Sequence, residues 1–228
     1  MNIMCIAQVE NGRHIADQIC KQTVQPDATV LYVDDNPAKG IDDRRVRIAE
    51  NHAILREKVI EQSPDFVWQV EGDCVLPEDT LERLLADYEQ LKGDDFGFIS
   101  GIQVGRHGLY CLGAWTDFEW NRETKQDSPL KSFRSIDHNL KGIQRVTATG
   151  FYCLFAPTDV WLSGECSWDG EPYGPDVVWG LSINKRKYVD MDIQIGHKVR
   201  SGVIWPHHAS TCSARFYKEG ERWKYKQL

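Results

Sequence analysis

Two acidic stretches in this chain have the residue types and spacing for cation and phosphate chemistry. Asp34-Asp35 follows the apolar run Ala28 to Val33, and Glu71-Gly72-Asp73 follows Phe66 to Val70. Residues two apart on an extended chain face the same way, so Glu71 and Asp73 are expected to aim their carboxylates at one point, with Gly72 leaving the backbone open. Converging carboxylates repel unless a cation sits between them. Oxygen ligands of this kind suit Mg2+ or Mn2+, ions that commonly keep a place for substrate phosphates. The plain competitor is an acidic turn at a strand end, since Asp and Gly are favoured in turns in any case.

The elements that must position these acids can be read from hydrophobic periodicity. Ile3 to Val9 reads as a buried strand, followed by an Asn11-Gly12 turn and by Ile15, Ile19 and Cys20 at helical spacing. Ala28 to Val33 is a second strand. A long amphipathic helix should follow Asp34-Asp35-Asn36-Pro37, with Val46, Ala49, Ala53 and Ile60 on its apolar face, ending before Ser63-Pro64. Phe66 to Val70 is a third strand. Leu81, Leu84, Leu85, Tyr88 and Leu91 then form one stripe of a helix entered through Pro77-Glu78-Asp79, with proline and acids at the favourable end of the dipole. Strands alternating with helices predict a parallel α/β sheet, whose ligand belongs beyond the carboxyl ends of the strands, where both acidic stretches fall.

Past Gly93 the pattern changes. Phe96 to Val104 and Gly108 to Trp115 read as adjoining strands, and Asp117 to Gly142 as a polar functional loop. Val146 to Ala156 is apolar, Pro175 to Ser182 begins a helix, and Val189 to Ile195 is a strand. A single domain over 1–228 is expected, with a ligand-binding half at 1–93, a second half at 94–213 containing loop 117–142, and a basic, aromatic tail at 214–228.

Composition narrows the function classes. The 228 residues carry 27 basic and 34 acidic side chains, a net charge of −7, which disfavours wholesale binding to a phosphate backbone. A chain of this length buries enough surface to fold without disulfides or a structural metal. Its 7 cysteines are scattered with no CxxC pair, which fits free, mostly buried thiols in a reducing compartment and a cytoplasmic location. The opening MNIMCIAQV is too short for a secretory h-region, and no later window is apolar enough for an integral membrane segment.

The order of the motifs adds a family resemblance. IAQVENGRHI at the first strand, VLYVDDNP at the second, DFVWQVEGDCVLPEDTLERLL at the acidic triplet and YGPDVVWGLSINKRKYVDMDIQIGHK near the end resemble GT-A fold glycosyltransferases, family 2 in particular. The resemblance implies a mixed central sheet in a Rossmann-like nucleotide-binding domain with an acceptor-side second half. It implies that Gln8, Asp34 and Asp35 hold the base and ribose of a UDP- or GDP-linked sugar, with Arg47 or Asn51 on the next helix beside them. Glu71 and Asp73 correspond to the DxD-type metal pair, and His197 to the late histidine that completes coordination in some members, which tilts the choice of ion towards Mn2+. Asp176 matches the general base of inverting members. The sequence departs from the family pattern at Glu71, where Asp is usual, and at Pro175-Asp176, where Glu-Asp is typical.

Read from the residues alone, Asp176 also fits a helix N-terminal acid stabilised by the dipole, and His197 a satisfied core histidine. Asp169, Glu171 and Asp192 are further candidate acids. Trp168, Tyr173 and Trp179, together with Trp115 and Trp120, lie in the half expected to meet the acceptor, where flat rings stack on sugars. His207-His208 with Cys212 lacks a fourth zinc ligand. The tail RFYKEGERWKYKQL interleaves Arg215, Lys218, Arg222, Lys224 and Lys226 with Phe216, Tyr217, Trp223 and Tyr225, a pattern that suits a nucleic acid or an anionic glycan, or a solvated end whose aromatics pack back. The function these readings converge on is metal-dependent glycosyl transfer to an acceptor hydroxyl, the acceptor being a glycan or a modified nucleic acid. The alternatives are a sugar nucleotidyltransferase, for which ENGRH is a poor glycine-rich loop, and a catalytically silent nucleotide-sugar or glycan-binding module.

Overall fold

The computed structural model describes residues 1–9, 12–33, 44–93, 95–105, 111–118, 132–168, 173–211, 213–219 and 222–227. The first part of the chain alternates β1 (Ile3–Val9), α1 (Gly12–Ile19), β2 (Ala28–Val33), α2 (Arg44–Gln62), β3 (Phe66–Glu71), the short β4 (Cys74–Val75), α3 (Thr80–Leu91) and β5 (Phe96–Ile102). The strand readings at Ile3 to Val9 and Ala28 to Val33 coincide with β1 and β2. The remainder comprises β6 (Ala114–Phe118), β7 (Ser132–Ser135), β8 (Ile143–Val146), β9 (Ala148–Thr149), β10 (Cys153–Pro157), α4 (Thr158–Ser163), α5 (Pro175–Ser182), β11 (Arg186–Gln194), β12 (Gly196–Val199), β13 (Gly202–Ile204), β14 (Ser213–Glu219) and β15 (Arg222–Gln227).

The central sheet has the order β2-β1-β3-β10-β5-β11-β8. Parallel pairing joins β2, β1 and β3 and joins β5 to β11, while β10 runs antiparallel between β3 and β5 and β8 antiparallel beside β11. Strand alternation sorts the side chains into two layers. Ile3, Cys5 and Ala7 of β1 and Phe66, Trp68 and Val70 of β3 face α1 and α3 through Ile15, Ile19, Leu81 and Leu84. Met4, Ile6 and Val67 face the other way, against Leu55 and Val59 of α2, Trp161 of α4 and Trp179 of α5. Buried on both faces, β3 and β5 read as nearly unbroken apolar runs, as central parallel strands must.

Helix α2 turns a different face inward from the one its aliphatic residues suggest. Ala53 is exposed and Ile60 is 55% exposed, whereas Asn51, His52, Leu55 and Val59 are buried. The inward stripe carries two polar residues, and one of them has aromatic partners: the His52 ring stacks on Phe151 and on Trp161, with centroids at 5.1 and 4.6 Å. Burial there pushes the His52 imidazole down to about 3, so it stays neutral.

A further expectation needs correcting. Asp117 to Gly142 is not loop throughout, since Asp117 and Phe118 finish β6 and Ser132–Ser135 form β7; positions 119–131 lie outside the described residues. Within the basic, aromatic tail at 214–228, the described residues 214–219 and 222–227 are strand. Strands β14 and β15 form an antiparallel hairpin that extends a sheet of order β15-β14-β7-β6-β9. Of the cysteines, Cys5, Cys74, Cys111 and Cys153 are buried, whereas Cys20 is exposed. Among the described residues, no helix is long and apolar enough to cross a membrane.

One buried carboxyl pair makes stability depend on pH. Asp87 on α3 and Asp190 on β11 are both buried, and burial together with the neighbouring Asp190 pushes the Asp87 carboxyl up to about 7. Asp190 receives the Asp192 N–H at 2.8 Å and faces Arg83 at 3.4 Å, so the neutral Asp87 is the member that donates to its partner. A carboxyl raised in the folded state holds its proton after the unfolded chain has lost it, so the folded state loses stability as pH rises from about 4 to about 7. Asp87→Asn keeps a donor and removes that titration. The melting temperature of the variant minus that of the parent is expected to grow across this interval, by about 3 °C or more, and then level off. A flat difference in scanning calorimetry would show that Asp87 ionises freely.

Candidate functional site

The carboxyl ends of β1, β2 and β3 lie side by side, which brings Gln8 opposite both Tyr32 and Glu71 in the strand register. Strand β3 stops at Glu71, and Gly72 and Asp73 form a turn before β4. The extended backbone on which the expectation for Glu71 and Asp73 rests thus ends at Glu71, and two-residue periodicity holds only while the backbone stays extended. Among the described residues no three His, Cys, Asp or Glu side chains group around one point.

The turn instead presents Asp73 to His197. Strand β12 pairs antiparallel with β4, placing His197 opposite Cys74, and the Lys198 N–H donates to the Asp73 carbonyl at 2.8 Å. His197 is buried, and its Nδ1 lies 2.8 Å from the Val104 carbonyl. A carbonyl can only accept, so Nδ1 carries the proton, and in the neutral ring Nε2 holds a lone pair. That Nε2 faces Asp73 Oδ2 at 3.6 Å, beyond direct hydrogen-bonding distance. A nitrogen lone pair and a carboxylate oxygen facing each other, with the second ring nitrogen anchored on a carbonyl, are atom types that divalent cations accept as ligands.

A second turn, Gly150 to Tyr152, couples this pair to α5. The Tyr152 carbonyl accepts from the Glu71 N–H at 3.2 Å and from Cys74 Sγ at 2.9 Å, and the Tyr152 hydroxyl donates to the Gly113 carbonyl at 3.2 Å. Asp176, in the first turn of α5 directly after Pro175, lies over this turn. A Cβ on Gly150 would stand 2.8 Å from the Tyr152 ring and 3.3 Å from Asp176 Oδ2. The acidic turn after β3 and the acid of α5 are thus held on opposite ends of one three-residue platform. Cys166 lies close enough for the Asp176 charge to add to burial in pushing its thiol up.

The remaining candidates divide. Arg47 is half-buried and Asn51 buried, one helical turn apart on α2. Just before them on the helix, the Arg45 guanidinium sits 4.0 Å above the centre of the half-buried Trp168 ring, linking α2 to the segment ahead of α5. Tyr173 is buried. Trp179 is withdrawn from acceptor contact: it is 0% exposed, its Nε1 donates to the Trp161 carbonyl, and its ring packs on Phe98 and Phe151. A large flat ring one turn into a helix is drawn to the core unless something holds it out. Asp192 accepts from the Gly142 N–H at 3.1 Å, a structural use. Asp34, Asp35, Asp169, Glu171, Trp120 and Cys212 lie outside the described residues, and His207 and His208 are exposed.

No family model matches the chain, and no curated protein does. Among solved structures, one titled as the crystal structure of A197 from STIV aligns over 92% of this chain and 93% of that chain, with a TM-score of 0.58 at 12% identity. At that identity the likeness concerns the fold. The fold is GT-A-like: a single Rossmann-like α/β domain with a mixed central sheet. Reading of the sequence had missed the Gly150–Tyr152 platform, the Val104 carbonyl and Gln103, which is buried and joins Cys74 Sγ at 3.3 Å to the Gly196 carbonyl at 3.4 Å. The signal for the platform was a glycine inside the apolar run Val146 to Ala156, which marks a bend or a close backbone approach rather than an uninterrupted strand.

Proposed function

We propose that the protein is a metal-dependent glycosyltransferase of the family 2 type, moving a sugar from a UDP- or GDP-linked donor to an acceptor hydroxyl with inversion. The observation that carries this reading is the Asp73 and His197 pair at 3.6 Å, tied by the 150–152 turn to Asp176. Asp73 and His197 hold the divalent ion, Mn2+ being favoured over Mg2+ by the imidazole, and Glu71 is assigned to the donor alongside Gln8, Asp34, Asp35, Arg47 and Asn51. When bound, the ion supplies positive charge for the diphosphate oxygens.

The residues of the chain do the rest. Asp176 takes the proton from the acceptor hydroxyl as its oxygen bonds to the anomeric carbon, and the bond from that carbon to the diphosphate oxygen breaks, its electron pair leaving with the nucleoside diphosphate. Gly150 puts no side chain against the carboxylate of Asp176, where a Cβ would stand 3.3 Å from Oδ2. Trp168 and Tyr173 border the acceptor side, with Arg45 keeping the Trp168 ring in place.

The test is a melting-temperature screen of UDP- and GDP-sugars with Mn2+ or with a chelator, followed by mass detection of the released nucleotide. Stabilisation by about 5 °C that needs both ion and donor, together with release of nucleoside diphosphate, is the expected result. Equal stabilisation in chelator defeats the metal assignment. Binding without release identifies a silent nucleotide-sugar-binding module. Formation of a nucleotide-sugar from a sugar phosphate and a nucleoside triphosphate identifies a nucleotidyltransferase.

A further inference from the structure

Asp73 and His197 belong to a small sheet of order β13-β12-β4 and the turn that leads into it, apart from the central sheet. Two register pairs, Gly196 with Val75 and His197 with Cys74, join β4 to β12. So short a ladder sets the spacing of the side chains around it only loosely, whereas an ion-binding geometry holds its ligand distances to about 0.2 Å. The spacing of the pair therefore calls for a support outside the ladder.

The chain leaving β5 supplies one, because residues 102–104 run alongside 195–197. The Ile195 N–H donates to the Ile102 carbonyl at 2.8 Å, Gln103 Nε2 donates to the Gly196 carbonyl at 3.4 Å, and His197 Nδ1 donates to the Val104 carbonyl at 2.8 Å. Gln103 Nε2 also donates to Cys74 Sγ at 3.3 Å. One amide group thus reaches the chain neighbour of each member of the pair, Cys74 beside Asp73 and Gly196 beside His197. The Cys74 thiol hydrogen goes to the Tyr152 carbonyl at 2.9 Å, which leaves the sulfur lone pairs to the amide. The Gln103 carbonyl in turn accepts the Gly113 N–H at 2.7 Å, and the Gly113 carbonyl accepts the Gly150 N–H at 3.1 Å. Gln103 is in this way tied to the platform under Asp176 as well.

Gln103 is 3% exposed, and a buried amide costs free energy unless it is hydrogen-bonded. The plain alternative is a satisfied core residue that does no more than hold the small sheet to the end of β5. A thiol sulfur and a carbonyl at 3.4 Å are both weak acceptors, so these contacts add little to the stability of the fold. We infer that Gln103 is a positioning residue: its amide, bridging Cys74 and Gly196, fixes the approach of Asp73 to His197. The inference rests on the reading of that pair as ion ligands and adds the residue that sets their geometry.

The test titrates the full chain with Mn2+, reading the free ion by electron paramagnetic resonance, and measures the melting temperature without ion. Gln103→Met, similar in length but without the amide, is expected to weaken Mn2+ binding about tenfold, the lower end of what outer-shell changes cost. Its melting temperature should fall by about 3 °C or less, since an apolar group of the same shape replaces the amide. The visible absorption bands of the Co2+-loaded protein should shift in the same variant, a signature that a purely structural role does not move. Val59→Ala, on the other side of the central sheet, should cost more melting temperature and leave Mn2+ affinity unchanged. Cys74→Ala removes one partner of the amide and should weaken Mn2+ binding severalfold. Cys74→Ser, which keeps an acceptor for Nε2 and a donor for the Tyr152 carbonyl, should stay near the parental value. Mn2+ affinity of Gln103→Met within about twofold of the parent, or equal weakening in Val59→Ala, overturns the inference and leaves the ion reading standing. If Gln103→Met does not fold, the Cys74 variants decide, and equal affinity in Cys74→Ala and Cys74→Ser overturns it. Absence of Mn2+ binding by the parent chain overturns both the inference and the ion reading.

Discussion

Asp176→Asn is expected to leave donor binding intact and to slow sugar transfer by about 10³-fold, the range general-base catalysis supplies. Asparagine has nearly the shape of aspartate, so the contact over Gly150 and the first turn of α5 survive the change. What disappears is the lone pair that takes the acceptor proton. A dipole-stabilising acid predicts the opposite pattern, a few degrees of lost melting temperature with transfer unchanged. Measuring both the single-turnover rate and the donor-induced thermal shift separates these roles. Transfer at the parental rate removes Asp176 from the chemistry.

Asp73→Ala is expected to erase the ion-dependent part of donor binding, a fall of about 5 °C in the thermal shift produced by donor with Mn2+, while the protein alone keeps its fold. The Asp73 backbone carbonyl, which receives the Lys198 N–H of β12 at 2.8 Å, is unaffected by truncating the side chain. His197→Ala provides the matching half. If Asp73 and His197 bind one ion, the double variant is no worse than either single variant, whereas independent roles give additive losses. A full thermal shift retained in Asp73→Ala would falsify the cation-site assignment.

The sequence was most informative where periodicity and burial agree. Runs such as Ile3 to Val9 and Ala28 to Val33 became β1 and β2 with the same bounds, and Pro175 to Ser182 became α5, because a proline at the first helical turn and strand-length apolar runs act locally. Helix α2 is the counterexample. Val46, Ala49, Ala53 and Ile60 point to one face, yet the buried face runs through His52, Leu55 and Val59, since the partners Phe151 and Trp161 come from about 100 residues away, a separation that local pattern does not encode. Trp179 failed as a surface ring for the same reason, its place being set by Phe98, Phe151 and the Trp161 carbonyl.

By itself, then, the amino-acid order determined the alternation of strands and helices, the α/β class, and the presence of acids directly after β3 and at the start of α5. Only the tertiary structure decided which of those acids meet. Glu71 and Asp73 are separated by the end of a strand, and Asp73 finds His197 through the antiparallel pairing of β4 with β12, more than 120 positions along the chain. Hydrogen bonding between strands distant in sequence, and a glycine small enough to let a carboxylate lie against the backbone, depend on where the chain returns in space.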